Sequence, residues 1–198
     1  MIAEKFAIVG ALVNFSGTMY YVVAVLRRRA RPNRVTWSLW ALAPLIAFAA
    51  QLSEGVGAPA ALTLAVGLGP AFVVLASFIT RDAYWAIFPL DWVCGAFSVC
   101  ALALWWFTGV GAIAVALSIV ADAFAALPTI MKAWRWPETE NAFAYSLGSL
   151  GGLITVLSVE TFAFETAGFA LYITVTMGVI ALLASGWLRR HVASPSDG

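Results

Sequence analysis

The chain has 198 residues, 63% of them hydrophobic and 11% charged, with a formal net charge of +1. That ratio excludes an ordinary soluble core in so short a chain. Seven apolar spans of about 20 residues each would use roughly 140 residues, which leaves short loops and no room for a soluble domain.

In chain order the spans are Phe6–Leu26, Val35–Leu52, Ala58–Thr80, Ala83–Phe107, Val110–Met131, Ala142–Val159 and Thr166–Leu188. Long runs of Leu, Ala and Val suit helices; barrel strands would alternate at period two. The first run is preceded by Glu4 and Lys5 and followed by Arg27, Arg28 and Arg29. A cleaved signal carries its positive charge ahead of the run, so a retained helix is expected, with its N-terminus outside. Alternation then puts ten of the eleven basic residues in the inner loops and tail: Arg27, Arg28, Arg29, Arg31, Arg34, Arg81, Lys132, Arg135, Arg189 and Arg190. The outer loops hold Glu54, Glu160 and Glu165 and no Lys or Arg. The positive-inside rule therefore gives N-out, C-in. Residues 191–198 form a polar tail expected to be disordered.

Cys94 and Cys100 share the fourth span, and six residues of helix turn through about 600°, so they face different sides and cannot readily bridge. His191 stands alone in the tail. No metal site, cofactor signature, nucleotide loop or nucleophile–base pair is present in the sequence, and no enzymatic activity is expected. A basic loop this short between two spans orients the chain; nucleic-acid binding is not expected of it.

The first three spans return weakly as the last three. At an offset of 105 residues Arg27 falls on Lys132, Pro32 on Pro137, Trp40 on Tyr145, Leu42 on Leu147 and Leu45 on Leu150. At 108 residues Leu75-Ala76-Ser77 falls on Leu183-Ala184-Ser185, and an insertion of three residues near Phe162 would reconcile the two. Three helices are an odd number, so a second copy needs one intervening helix to enter the membrane the same way up. The expected architecture is an all-α membrane protein of seven transmembrane helices in 3+1+3 parallel repeats. Residues 1–82 form the first repeat, 83–108 the linker helix and 109–190 the second repeat.

That arrangement resembles the SWEET and PQ-loop superfamily. Leu127-Pro128-Thr129, then Lys132 and Tyr145, is similar to the Pro-polar dipeptide, basic loop and aromatic of PQ-loop proteins, with Thr129 in place of the signature Gln. The first repeat has Val23-Ala24 at the corresponding place. The resemblance implies a transporter with its substrate between the repeats, or a receptor on the same fold.

Asp122 lies about twelve residues into the fifth span, near the bilayer midplane. A carboxylate there costs several kcal/mol unless it is protonated, paired or facing water. It is either a proton- or substrate-binding group or a neutral acid hydrogen-bonded between helices, for example to Asn14, which lies at similar depth in the first span. Asn14 taken by itself is a helix-packing residue or half of a pseudo-symmetric pair with Asp122. Trp40 and Tyr145 would line or gate an inner pathway, or simply pack. Pro128, with Thr129 beside it, should free a carbonyl near Phe124 and form a hinge. Asp91, about eight residues into the fourth span, could pair with Arg81 in a structural role. Gln51, Glu54 and Glu160 end their helices on the outer side, as a vestibule or as solvated helix ends. Gly148, Gly151 and Gly152 should let a neighbouring helix approach closely. The expected function is transport or facilitated passage of a small polar solute, the alternative a non-transporting receptor, sensor or partner-binding subunit. The expected partners are the lipid bilayer of the inner membrane, the solute and, in a homo-oligomer, further copies of the chain.

Overall fold

A computed structural model describes residues 6–53, 58–80, 85–108, 111–158, 162 and 164–188. Among them there are seven α-helices and no strand: α1 (Phe6–Leu26), α2 (Arg34–Ser53), α3 (Ala58–Ile79), α4 (Pro89–Thr108), α5 (Gly111–Arg135), α6 (Ala142–Ser158) and α7 (Phe164–Ala184). A single 3-10 turn, Pro137–Thr139, sits between α5 and α6. Two helices, through Ile8–Leu26 and Ala167–Ala184, are long and apolar enough to cross a membrane, with mean hydropathies of 1.6 and 2.1. Glu54, Glu160, Arg81 and the tail 191–198 lie outside the described residues, as does the side chain of Gln51.

Two of the boundaries that differ from the sequence expectation bear on the polar residues. α4 begins at Pro89, not at residue 83. Proline fits the first turn of a helix, where its missing N–H would have no partner anyway. Asp91 therefore lies in the first turn of α4 and not eight residues along it. α5 continues to Arg135, past the expected end at Met131, because Lys132 is buried and pulls another turn of helix into the bundle. At the end of α1 the chain turns through Arg28, at φ 58°, with Arg28 N–H donating to Val25 O and Arg29 N–H to Ala24 O. This paired closure satisfies the last carbonyls of the helix.

Helix packing follows one rule in both halves. α3 lies between α1 and α2, and α7 lies between α5 and α6. The halves meet along two seams, α1 on α6 and α2 on α5, while α4 lies against α5 and α2. A single spacing of 108 residues relates the seams. Asn33 and Asn141 both cap a helix with their side-chain oxygen, to Val35 and Thr36 N–H in one case and Ala144 N–H in the other. The same spacing carries Trp37 onto Tyr145, Asn14 onto Asp122, and the contact of Thr36 with Ala125 onto that of Ala144 with Gly17. The caps set the register, so Tyr145 corresponds to Trp37 rather than to Trp40, and no insertion near Phe162 is required.

The seams differ in side-chain size. A Cβ on Gly10 would lie 2.7 Å from Gly151 O, and one on Gly17 would lie 2.7 Å from Ala144 O. α1 and α6 thus approach to backbone contact, the small-residue packing common between membrane helices. Gly148 and Gly152 face Met177 and Thr174 of α7 instead. The α2–α5 seam carries Thr36, whose hydroxyl donates to Ala125 O at 2.6 Å, and Trp40.

The interior combines an apolar core with buried polar groups, and much of the exterior is apolar. Leu12, Leu75, Ile79, Trp92, Phe97, Trp106, Phe107, Leu157 and Val175 point outward, each more than half of them exposed or nearly so. Asn33, Thr36, Ser77, Asp91, Thr129, Lys132 and Glu140 are buried. Exposed apolar side chains in this number mark a surface that meets a membrane or a partner.

Candidate functional site

Two polar sites stand inside the bundle. The first closes the end that carries the basic loops. α1, α3, α5 and α7 end there and α2, α4 and α6 begin there. Several contacts tie these ends together. Arg31 N–H donates to Thr139 O, Trp85 N–H donates to Pro32 O, and the Asn33 amide donates to Asp91 Oδ1 at 2.8 Å. Asp91 Oδ2 accepts Phe88 N–H at 2.6 Å. Asp91 thus fixes the start of α4 to the cap of α2, and its partner is Asn33.

At the centre of this end lies Glu140. Its Oε2 accepts the hydroxyls of Tyr21, at 2.6 Å, and Tyr145, at 2.9 Å. Its Oε1 pairs with Lys132 Nζ at 2.5 Å. The same ammonium donates to Arg31 O and lies 5.3 Å from the centre of the Trp85 ring, within cation–π range. Lys132 and Glu140 are both buried. Removing two charges from water is offset only by close pairing and hydrogen bonding; here the pair is close, and Oε2 accepts two hydroxyls while Oε1 has only the ammonium. Tyr21 comes from the first half, and Lys132, Glu140 and Tyr145 come from the second. Trp37 fills the space above them, its ring 4.7 Å from Tyr21 and 6.4 Å from Tyr145. Its buried indole N–H turns to the Tyr21 hydroxyl without completing a hydrogen bond. The result is a closed end, sealed by one ion pair and a layer of aromatic rings.

The second site lies deeper. Tyr172 of α7 donates its hydroxyl to Asp122 Oδ2 at 2.8 Å. Trp40 of α2 turns its indole N–H to the same carboxylate without closing a hydrogen bond of good geometry, and that nitrogen is buried with no other partner. The Thr176 hydroxyl turns to Tyr172 in turn. Trp40 and Thr176 are buried, whereas Asp122 and Tyr172 remain partly accessible. Among the described residues no cation pairs with Asp122. The groups aimed at it are therefore donors, and indole can only donate.

Of the residues singled out from the sequence, Asp122 and Trp40 meet. Trp40 stands between the two sites, its ring 5.2 Å from that of Trp37. Tyr145 belongs to the closed end. Asn14 lies in the α1–α6 seam, its Cβ 2.9 Å from where a Cβ on Gly151 would be, and the hydrogen bond to Asp122 comes from Tyr172. Thr129 donates to the Thr36 hydroxyl at 3.2 Å, and Thr36 donates to Ala125 O, next to the carbonyl that Pro128 deprives of its usual donor. Pro128 and Thr129 are thereby bonded across to α2. A shallow groove between α6 and α7, lined by Ser146, Ser149 and Ser185 among others, includes none of these residues. Among the described residues no group of His, Cys, Asp and Glu is placed to hold a metal ion.

No protein-family model, curated protein or solved structure matches the chain. The site rests on its geometry.

Sequence reasoning missed Glu140, Tyr21, Trp37 and Tyr172. Glu140 reads as a solvated loop acid beside Glu138, and Lys132 as an orientation charge. A usable signal was the repeated Asn, three residues, then aromatic: Asn33 to Trp37 and Asn141 to Tyr145. It sets the 108-residue register and points to both aromatics.

Proposed function

We propose that the chain is an integral membrane protein of seven spans, N-terminus outside and C-terminus inside, that passes a small polar solute between two parallel three-helix repeats joined by α4. The apolar exterior supports the spans, and the collection of basic residues at one end supports the orientation. The 108-residue correspondence across both seams supports the 3+1+3 repeat. In this reading the conformation is the one closed at the inner side by Glu140, Lys132, Tyr21 and Tyr145.

One observation carries the proposal. A partly accessible carboxylate, with no cation on it among the described residues, stands where α2 of one half faces α5 and α7 of the other. An ionisable group inside a membrane bundle marks a substrate or ion path, and solute sites in repeat transporters lie at the repeat interface near the midplane.

The test is flux. Proteoliposomes holding the full chain, loaded with a mixture of labelled sugars, amino acids and amines, are expected to release at least one component faster than protein-free vesicles. Asp122→Asn should change that release. Release identical to that of protein-free vesicles for every component would sink transport and favour a receptor or partner-binding role.

A further inference from the structure

We propose that Asp122, with Trp40 and Tyr172, binds the positively charged end of a small organic cation, an ammonium-bearing solute. This deepens the transport reading and rests on it only for the route of entry; binding can be measured without flux.

The argument runs from the donors around the carboxylate. Tyr172 donates to Oδ2, Thr176 turns to Tyr172, and Trp40 aims a buried, otherwise unpartnered N–H at the same group. A surround of donors suits the ionised form. A protonated carboxyl would have its own hydrogen to place; the indole N–H cannot accept it, and the phenol could do so only by giving up the bond it donates. Two neutral donors do not replace the water that an anion loses inside a bundle, and a counter-charge is needed. At the closed end the protein supplies that charge itself, with Lys132 on Glu140. At Asp122 none of the described residues supplies it, and the carboxylate stays partly accessible. Among the described residues the counter-charge is missing, which leaves this place for a charge carried by a ligand.

The neighbouring surfaces narrow the kind of cation. Trp40 and Tyr172 flank the carboxylate, and Phe169 lies 6.0 Å from Tyr172. Aromatic rings attract alkylammonium groups through their faces and shed water readily, whereas a small hydrated metal ion wants several oxygen ligands. Among the described residues Asp122 is the one carboxylate at this site, and no acid cluster is placed for a metal. One carboxylate and aromatic walls fit a single positive charge on carbon-bearing nitrogen.

The experiment uses the full chain in nanodiscs of phosphatidylglycerol, which has no ammonium headgroup. Thermal unfolding is followed with ethanolammonium chloride, choline chloride, sodium chloride at matched ionic strength, and ethylene glycol. At saturating concentration at least one of the two ammonium salts should raise the Tm by roughly 2–4 °C, with no rise from sodium chloride or glycol. Asp122→Asn keeps the side-chain shape and should abolish the rise. Tyr172→Phe and Trp40→Phe should each weaken binding by about tenfold, so the proposal stays testable if one variant does not fold. Absence of any rise in wild-type protein, or an equal rise in Asp122→Asn, would overturn the proposal. So would an infrared carboxylic-acid band that Asp122→Asn removes and the ammonium salts leave intact, since the partner would then be a proton. Discs of phosphatidylethanolamine separate the remaining source. An Asp122-dependent Tm rise there, with no further response to free salts, would make the ligand a lipid headgroup and overturn the solute assignment. An Asp122-dependent rise without flux in proteoliposomes would uphold the binding site and sink the transport reading.

Discussion

Glu140 and Asp122 are both acids inside the same helical bundle, and their surroundings differ in kind. Glu140 is held by an ammonium and two phenols, contributed by both halves. Asp122 faces a phenol, an indole and, among the described residues, no cation. The first acid has all its charge answered within the chain and closes a structure. The second has part of its charge left over, which suits a group that exchanges partners. The contrast is sharp because each acid sits where the two halves meet.

Replacing each acid by its amide separates the two. Glu140→Gln strands the Lys132 ammonium in a buried place and should cost about 3–5 kcal/mol. The loss should show as a large drop in unfolding temperature in nanodiscs. The double variant Lys132→Met/Glu140→Leu removes both charges together and should recover much of that loss. A Glu140→Gln protein as stable as wild type would erase the distinction between the sites. Tyr21→Phe removes one donor to a charged acceptor and should cost about 1.5–3 kcal/mol. It should also raise access to the closed end, read as faster modification of a cysteine placed at Trp37 from the basic-loop side. Thr36→Val deletes the hydroxyl on Ala125 O and should cost about 1 kcal/mol in the same unfolding assay. Asp122→Asn should change stability least, by less than about 1 kcal/mol and upward, because it removes a charge that no described residue pairs. A loss as large as that of Glu140→Gln would show that Asp122 is a structural acid after all.

The helices were legible in the sequence because long apolar runs need no partner to be recognised. Phe6–Leu26 agrees to the residue, and the other ends shift by a few residues. Asp122 was legible for the same reason, since one acid in an apolar run stands out. Glu140 was not, because a loop acid looks solvated until the fold brings Tyr21 to it across more than half the chain. Asp91 was misplaced because its apolar neighbours Ile87 and Phe88 extend the run, while Pro89 is where the helix starts. The pairing of Asn14 with Asp122 was visible only as a guess. Positions of equal rank in the two halves face different seams, and the residues opposite them, Gly151 in one case and Trp40 in the other, decide what each can touch.

The contact of Gly10 and Gly17 with α6 has a mechanical consequence. Backbones that touch without side chains between them have little to rearrange, so that edge of the molecule behaves like the spine of a book. The opposite edge, where Thr36, Trp40 and Asp122 stand, is the side on which the pages part. On the proposed reading the two halves would then move unequally, and a solute would pass along the α2–α5 edge rather than through the middle of a symmetric pore.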